Sequence, residues 1–133
     1  MSIGNLKKSG FFYIVYTLQY ILLLLYFIEM GKTIISGDGR FEWDEDKDRL
    51  NKKTHGFSFD EILEIFEDPA FLEGYDRGHS KEEDRYYGIG CINNILYIIA
   101  FYTLRERIRI ISARRADNDE QEEYDGYFKK IKS

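Results

Sequence analysis

Arginine side chains are concentrated in one short part of this chain. Residues 105–115 hold five arginines and one glutamate, although the 133-residue chain has a formal charge of −5. A guanidinium is permanently charged and presents a planar fork of donors that suits phosphate oxygens. Residues 117–125, which follow directly, hold six acids and no base. The positive charge is therefore local, and a local patch acts on phosphates within about 8 Å.

The first part of this segment alternates between basic and apolar residues, which predicts a β-strand over residues 107–113. Alternate residues of a strand share one face, so Arg107 and Arg109 point together, about 6.6 Å apart. Such a pair can bind consecutive phosphates, or one phosphate and a base edge. The alternative is that these arginines pair with nearby acids, such as those of residues 117–125, because surface ion pairs are common.

The same alternation turns Ile108 and Ile110 toward the core. Ser112 follows on the core side of the strand. A bulge near residues 110–111 would reset this register.

Three further places could supply charge or protons. His55 precedes Gly56 at a predicted helix end, where an imidazole can act as general acid or base, or can only complement the helix terminus. Lys47 and Lys53 on the same helix add positive charge, or else form a solvated face. Arg85 begins a predicted strand and can reach a phosphate or a carboxylate.

The remaining nucleophilic and metal-binding residue types give weaker signals. His79 stands in a polar loop, and nothing in the sequence gives it a role. Cys91 is the single cysteine, so no disulfide forms within the chain, and its strand pattern predicts a small apolar filler. One cysteine and two histidines without ligand spacing argue against a metal site.

Turn and capping residues divide the chain into elements that predict an α+β fold, with helices against an antiparallel sheet. Asp44 and Ser58 are expected to cap two helices, which end at Gly56 and Pro69. Asn93-Asn94 predicts a tight hairpin turn. The expected strands are 40–43, 71–75, 85–91, 94–103 and 107–113, and a last helix is expected over 117–131.

The first 29 residues form a separate hydrophobic extension, and residues 30–133 form the expected domain. Residues 11–28 carry no charge, and a helix of this length approaches the thickness of a bilayer core. Three interpretations stand: a single membrane anchor, a start assigned upstream of a true start at Met30, and a helix buried in the core or in an oligomer.

The order and spacing of several blocks resemble the BrnT toxins, which are RelE-like ribonucleases of type II toxin–antitoxin pairs. The resemblance runs from about Arg40 to Tyr124. It rests on these residues: Phe41-Glu42-Trp43-Asp44, Lys47, Asn51, His55-Gly56, Phe59, Asp68-Pro69, Arg85, Gly90 and Arg109-Ile110-Ile111-Ser112-Ala113-Arg114.

The resemblance implies a RelE-like sheet and an endoribonuclease that needs neither metal nor cofactor. The 2′-hydroxyl of RNA would attack the adjacent phosphate while cations stabilise the phosphorane. In this chain Arg109 and Arg114, with Arg107 or Arg85, would hold the phosphate, and His55 or Lys47 would transfer protons.

Further RNA contacts are assigned to Arg107, Lys53 and Arg115. The family commonly has a basic residue before its His-Gly pair. This chain has Thr54 there, so Lys53 would have to serve.

The resemblance also implies partners. A basic, DNA-binding antitoxin would inhibit the toxin and carry it to operator DNA, and an acidic toxin suits such a partner. The alternative function is an inactive toxin-fold module that acts only in the antitoxin–DNA repressor complex. The hydrophobic extension of the first 29 residues lies outside the family pattern. This favours Met30 as the true start and predicts a cytoplasmic protein. A membrane-anchored protein is the alternative location.

Overall fold

The computed structural model describes the backbone of residues 3–29 and 31–133, and the side chains of residues 10–26 and 31–133. The chain divides into two compact units, Met1–Gly31 and Lys32–Ser133. Met30, the alternative start, lies outside the described residues.

The first unit is one helix, α1, Ile3–Glu29. Almost all its described side chains are exposed, and the large apolar ones among them include Phe11, Tyr13 and Leu22. In the described part of the chain, we find no helix with both the length and the apolar character that crossing a membrane requires.

The described part of the second unit contains a six-stranded sheet in the order β1-β2-β6-β5-β4-β3. The α+β class with helices against the sheet is thereby confirmed. The strands are β1 (Thr33–Ile35), β2 (Phe41–Asp44), β3 (Leu72–Tyr75), β4 (Arg85–Ile92), β5 (Leu96–Leu104) and β6 (Ile108–Arg115). The helices are α2 (Glu45–His55), α3 (Phe59–Ile62) and α4 (Asn118–Lys132), with 3₁₀ turns at Leu63–Glu67 and Arg77–His79.

The sheet is mixed, whereas the sequence predicted an antiparallel one. β2 pairs with β6 in parallel, and the other pairings within the described residues are antiparallel. β1 was not predicted; it pairs with β2 at the edge of the sheet. The residues after Ser58 also differ from prediction, since the α-helix gives way to a 3₁₀ turn at Leu63.

Local capping chemistry begins α2 and α3, and ends α2, where the sequence predicts. The Asp44 side chain accepts a hydrogen bond from the Lys47 amide, and Gly56 ends α2 in the left-handed conformation, with φ of +85°. Ser58 and Glu61 form a capping box at α3. These contacts fix the direction of α2 relative to the strand before it.

Strand β5 runs through the centre, and both of its faces are covered. Ile98, Ala100 and Tyr102 pack into one cluster with Phe59 of α3. Ile99 packs on the other face, in a cluster with residues of α4. The alternation along β5 therefore divides the core into two layers, as its nearly continuous apolar sequence indicates.

The bulge in β6 is also present. Phe101 pairs with Ser112 and Tyr102 pairs with Ile110, which leaves Ile111 as the additional residue. Because the bulge shifts the register, Ala113 and not Ser112 becomes the next buried core residue after Ile110.

Candidate active site

One row of side chains crosses four neighbouring strands. Glu42 of β2 pairs with Arg109 of β6, Arg109 pairs with Thr103 of β5, and Thr103 pairs with Arg85 of β4. Residues directly opposite one another in a sheet project to the same face. The register therefore places two arginines, which are distant in sequence, on one surface.

Arg109 is held in this row by a carboxylate. Its Nη1 atom donates to Oε2 of Glu42 over 2.6 Å, and the two side chains are 22% and 14% exposed. A charge-assisted hydrogen bond between two side chains with so little exposure to solvent has a well-defined geometry. The guanidinium of Arg109 is therefore positioned before any ligand arrives.

Helix α2 lies against the part of β6 that extends beyond β2. Asn51 is 4% exposed and bridges the two: its Nδ2 donates to the Phe57 carbonyl over 2.9 Å, and its Oδ1 accepts from the Ala113 amide over 3.0 Å. The amide side chain thus takes the place of a strand partner for Ala113. This attachment fixes the positions of Lys47 and His55, which lie on the same helix.

The loop between β3 and β4 closes on itself beside Arg85. Ser80 Oγ donates to the Asp76 carbonyl over 2.6 Å and accepts from the Arg85 amide over 2.9 Å. The Asp76 amide donates to the Arg85 carbonyl over 2.9 Å. In the same loop Glu83 accepts two bonds of 2.8 Å from Arg105. The loop is therefore tied to the end of the sheet at several points.

These elements surround a cavity of about 680 Å³. The residues that line it come from α2, from the loop between β3 and β4, from the sheet and from the turn after β5. They are Lys47, Gly78, His79, Lys81, Glu82, Glu83, Arg85, Thr103, Arg105, Arg109 and Ile111. Among these described residues five are basic and two are acidic, so the cavity is positive in a chain that is negative as a whole.

Glu83, an acid of this cavity that is paired with Arg105, stays ionised at neutral pH. Arg105 chiefly, with smaller contributions from Thr103 and Arg109, holds the pKa of Glu83 below its usual value. The bidentate pair leaves less of the Arg105 charge available to a ligand. Arg109 is likewise paired with a carboxylate, that of Glu42.

Three of the residues predicted from the sequence meet in this cavity, namely Lys47, Arg85 and Arg109. His55 lies in a neighbouring groove of about 280 Å³, which it lines together with Ser112. Lys47 and Ile111 line both spaces. His55 is thus next to the basic cavity and outside its lining.

The other predicted basic residues are placed elsewhere among the described side chains. Arg114 forms two bonds with Glu120 of α4, of 2.7 and 3.0 Å, which is the ion pairing that the sequence left as an alternative. Arg107 donates to the Gly39 carbonyl over 3.1 Å. Arg115 lies 5.6 Å above the Phe57 ring, and Lys53 is exposed on α2.

Eight of the eleven residues that line the cavity were not predicted from the sequence as site residues, and two of them are Arg105 and His79. Arg105 was counted only in the positive charge of residues 105–115, and His79 was given no role. The one local signal for His79 is Asp76, three residues earlier, whose carboxylate approaches its ring. Only the closure of the loop shows that this histidine lies beside Arg85.

Comparison with known proteins places the chain in a family. The model of the family described as the ribonuclease toxin BrnT of type II toxin–antitoxin systems matches residues 43–120, more than half of the chain. The crystal structure of the Brucella abortus ribonuclease toxin BrnT is similar, with 26% identity and a TM-score of 0.47; the match covers 57% of this chain and 94% of that one. The search among curated protein sequences gave no match. The matched segment contains all eleven residues that line the cavity, and the chain belongs to the family of BrnT ribonuclease toxins of type II toxin–antitoxin systems.

Proposed function

We propose that this chain is an endoribonuclease that cleaves RNA without a metal ion, by attack of a 2′-hydroxyl on the adjacent phosphate. The observation that carries the proposal is the convergence of Lys47, Arg85, Arg105 and Arg109 on one cavity of an acidic protein. A phosphodiester is the anion that this arrangement suits, since guanidinium forks match its oxygens.

The proposed reaction moves one proton away from RNA and returns another to it. The 2′-oxygen forms a bond to phosphorus and loses its proton to a base. The bond from phosphorus to the 5′-oxygen breaks, and that oxygen takes a proton from an acid. The products are a 2′,3′-cyclic phosphate and a 5′-hydroxyl end.

Arg109 and Arg85 would stabilise the negative charge that grows on the phosphoryl oxygens. The guanidinium of Arg109 is held by Glu42, and the backbone amide of Arg85 is bonded to Ser80 of the neighbouring loop. Donors that are fixed before the reaction stabilise a developing charge without having to reorganise. Arg114 is a weaker candidate, because among the described residues it is not part of the cavity lining.

Lys47 and His55 are the proton carriers on the α2 side of the cavity. Lys47 lines the cavity itself, whereas His55 lines the groove beside it. We assign Arg107, Arg115 and Lys53 to RNA on either side of the scissile phosphate. They would raise affinity for RNA more than they would raise the rate of the chemical step.

An alternative function is supported by one observation. Arg105, Arg109 and Arg114 each pair with a carboxylate of the same chain. Such pairs would also form in a toxin fold that has lost its activity and serves only to bind an antitoxin in a repressor complex on DNA.

Membership of a toxin–antitoxin family implies an antitoxin partner, and we propose that this antitoxin is basic and binds operator DNA. Helix α4 begins with exposed Asp117, Asp119 and Glu122. A basic protein would be attracted to this acidic end, which lies outside the cavity lining among the described residues.

The test is cleavage of a defined RNA by the purified full chain in excess chelator, with the product ends analysed. We expect 2′,3′-cyclic phosphate and 5′-hydroxyl ends, and loss of at least about 100-fold in rate for Arg109→Ala. His55→Ala would lower the rate less. A requirement for added divalent metal would contradict the mechanism, and folded but inactive protein would favour the repressor module.

A further inference from the structure

His79 and Asp76 form a histidine–carboxylate pair at the edge of the basic cavity. The Nδ1 atom of His79 lies 3.1 and 3.2 Å from the two carboxylate oxygens of Asp76. The His79 side chain is 69% exposed and that of Asp76 is 14% exposed. A carboxylate on Nδ1 sets the orientation of an imidazole and leaves Nε2 available for proton transfer.

The backbone around this pair is held by several bonds. The His79 amide donates to the Asp76 carbonyl, and Ser80 Oγ links that carbonyl to the amide of Arg85. Tyr75 Oη donates to Asp84 over 2.9 Å and closes the base of the loop. The histidine is therefore attached to the strand that supplies Arg85, although it stands in a loop.

The order of the strands places His79 across the cavity from the helix that carries Lys47. The row runs from Glu42 on β2, which leads into α2, to Arg85 on β4, which follows the loop. Arg109 lies between these two ends. Displacement at phosphorus proceeds in line, so the base and the acid must approach the phosphate from opposite sides.

We infer that His79 is a second proton-transfer residue of this ribonuclease site, oriented by Asp76; this inference rests on the function proposed above. One proton passes between Nε2 of His79 and either the attacking 2′-oxygen or the leaving 5′-oxygen. A proton carrier on the α2 side of the cavity, Lys47 or His55, exchanges a proton with the other oxygen. Water restores the starting protonation state of the ring.

The charged groups that share the cavity with His79 come from three directions. Lys81, Glu82 and Glu83 belong to its own loop, and Arg85, Arg105 and Arg109 belong to the sheet and the turn after β5. Lys47 faces it from α2. The test therefore compares the pH profiles of variants with that of the wild type.

The experiment measures single-turnover RNA cleavage by the full chain between pH 5 and 9. The variants are His79→Gln, Asp76→Asn and, as a control in the same 3₁₀ turn, Arg77→Ala. We expect His79→Gln to lower the rate by about 100-fold and to remove one limb of the pH profile, with affinity for RNA unchanged. Asp76→Asn should lower the rate by about 10-fold and keep that limb, and Arg77→Ala should match the wild type.

Two results would overturn the inference. One is a His79→Gln rate within about twofold of the wild type, and the other is a lower rate with both pH limbs retained, which would indicate a structural role. An active wild type with an equally active His79→Gln variant overturns this inference alone. An inactive wild type overturns the proposed ribonuclease as well.

Discussion

Arg109 and Glu42 face each other across the parallel pair of strands β6 and β2, with Nη1 and Oε2 2.6 Å apart. The arginine that is proposed to bind phosphate thus already has an anionic partner. An incoming phosphate must share Arg109 with Glu42 or displace it. The pair keeps the guanidinium in place and lowers its affinity for other anions.

Replacing Glu42 by Gln should strengthen RNA binding. Loss of a competing carboxylate worth about 1 kcal/mol corresponds to roughly fivefold tighter binding. The slope of log K against log salt should steepen by about 0.7, because one more phosphate is neutralised. Binding of 2′-O-methyl RNA, which lacks the attacking hydroxyl, measures both quantities.

The matched control is Asp46→Asn, which releases Arg49 on the exposed side of α2 from a pair of 2.7 Å. This change should leave RNA affinity nearly unaltered. Equal affinities and salt slopes for Glu42→Gln and wild type would mean that Arg109 does not contact the backbone of bound RNA.

Replacing Asn51 by Ala should destabilise the domain strongly. The change leaves the Ala113 amide and the Phe57 carbonyl without their bonds to this buried side chain. Each unsatisfied group costs about 1–3 kcal/mol, so the loss of both should lower the free energy of unfolding by about 2–6 kcal/mol. Urea denaturation measures it, with the neighbouring Leu50→Ala, at a residue 63% exposed, as the control. A loss no larger than that of the control would contradict the bridging role.

Replacement of two glycines by alanine should have opposite effects on stability. A Cβ on Gly90 would lie 2.6 Å from Ile65 Cβ and 2.8 Å from the Ile65 carbonyl oxygen. Gly90→Ala should therefore cost about 1–3 kcal/mol. A Cβ on Gly126 in α4 meets nothing within 4 Å, so Gly126→Ala should stabilise by about 0.5–1 kcal/mol. Thermal unfolding of the two variants should shift in opposite directions, and a shift in the same direction would refute this packing.

Tyr124 should make the fold sensitive to alkali. Burial, followed by the 2.6 Å bond that it donates to Asp68, raises the pKa of Tyr124 above its usual value. In the unfolded chain the pKa of this tyrosine is about 10, below its folded-state pKa. The stability that the protonated hydroxyl contributes is therefore present in full below about pH 10 and is lost as pH rises from there toward the folded-state pKa.

Tyr124→Phe should therefore reduce the loss of unfolding free energy between pH 9 and 11, by at most about 1.4 kcal/mol per pH unit. Asp68 keeps its bonds from the amides of Ala70 and Cys91, so the variant should still fold. Urea denaturation at several pH values measures the slope. If the unfolding free energy of variant and wild type changed with pH at the same slope, ionisation of this hydroxyl would not be linked to unfolding.

Sequence reasoning succeeded where local chemistry decides the structure. Asp44 caps α2, and Asn93 and Asn94 adopt positive φ of 53° and 59° in the predicted turn. The bulge at Ile111 and the central position of β5 were also indicated by the order of apolar and polar residues. Each of these features depends on only a few adjacent residues.

Features that depend on contacts distant in sequence were not predictable. The parallel pairing of β2 with β6 depends on which edge of the sheet β2 joins, and no local pattern encodes that choice. His79 lines the cavity because the loop between β3 and β4 closes on itself. This polar loop thereby forms one wall of the cavity.

The most direct test of the account compares RNA cleavage by the wild type with two arginine variants in excess chelator. Arg109→Ala removes a cation from the centre of the row, and Arg49→Ala removes an exposed arginine of α2 outside the cavity. We predict cleavage by the wild type and by Arg49→Ala at similar rates, and a loss of at least about 100-fold for folded Arg109→Ala. Equal rates for all three proteins, or no cleavage by the folded wild type, would contradict a ribonuclease that uses this cavity.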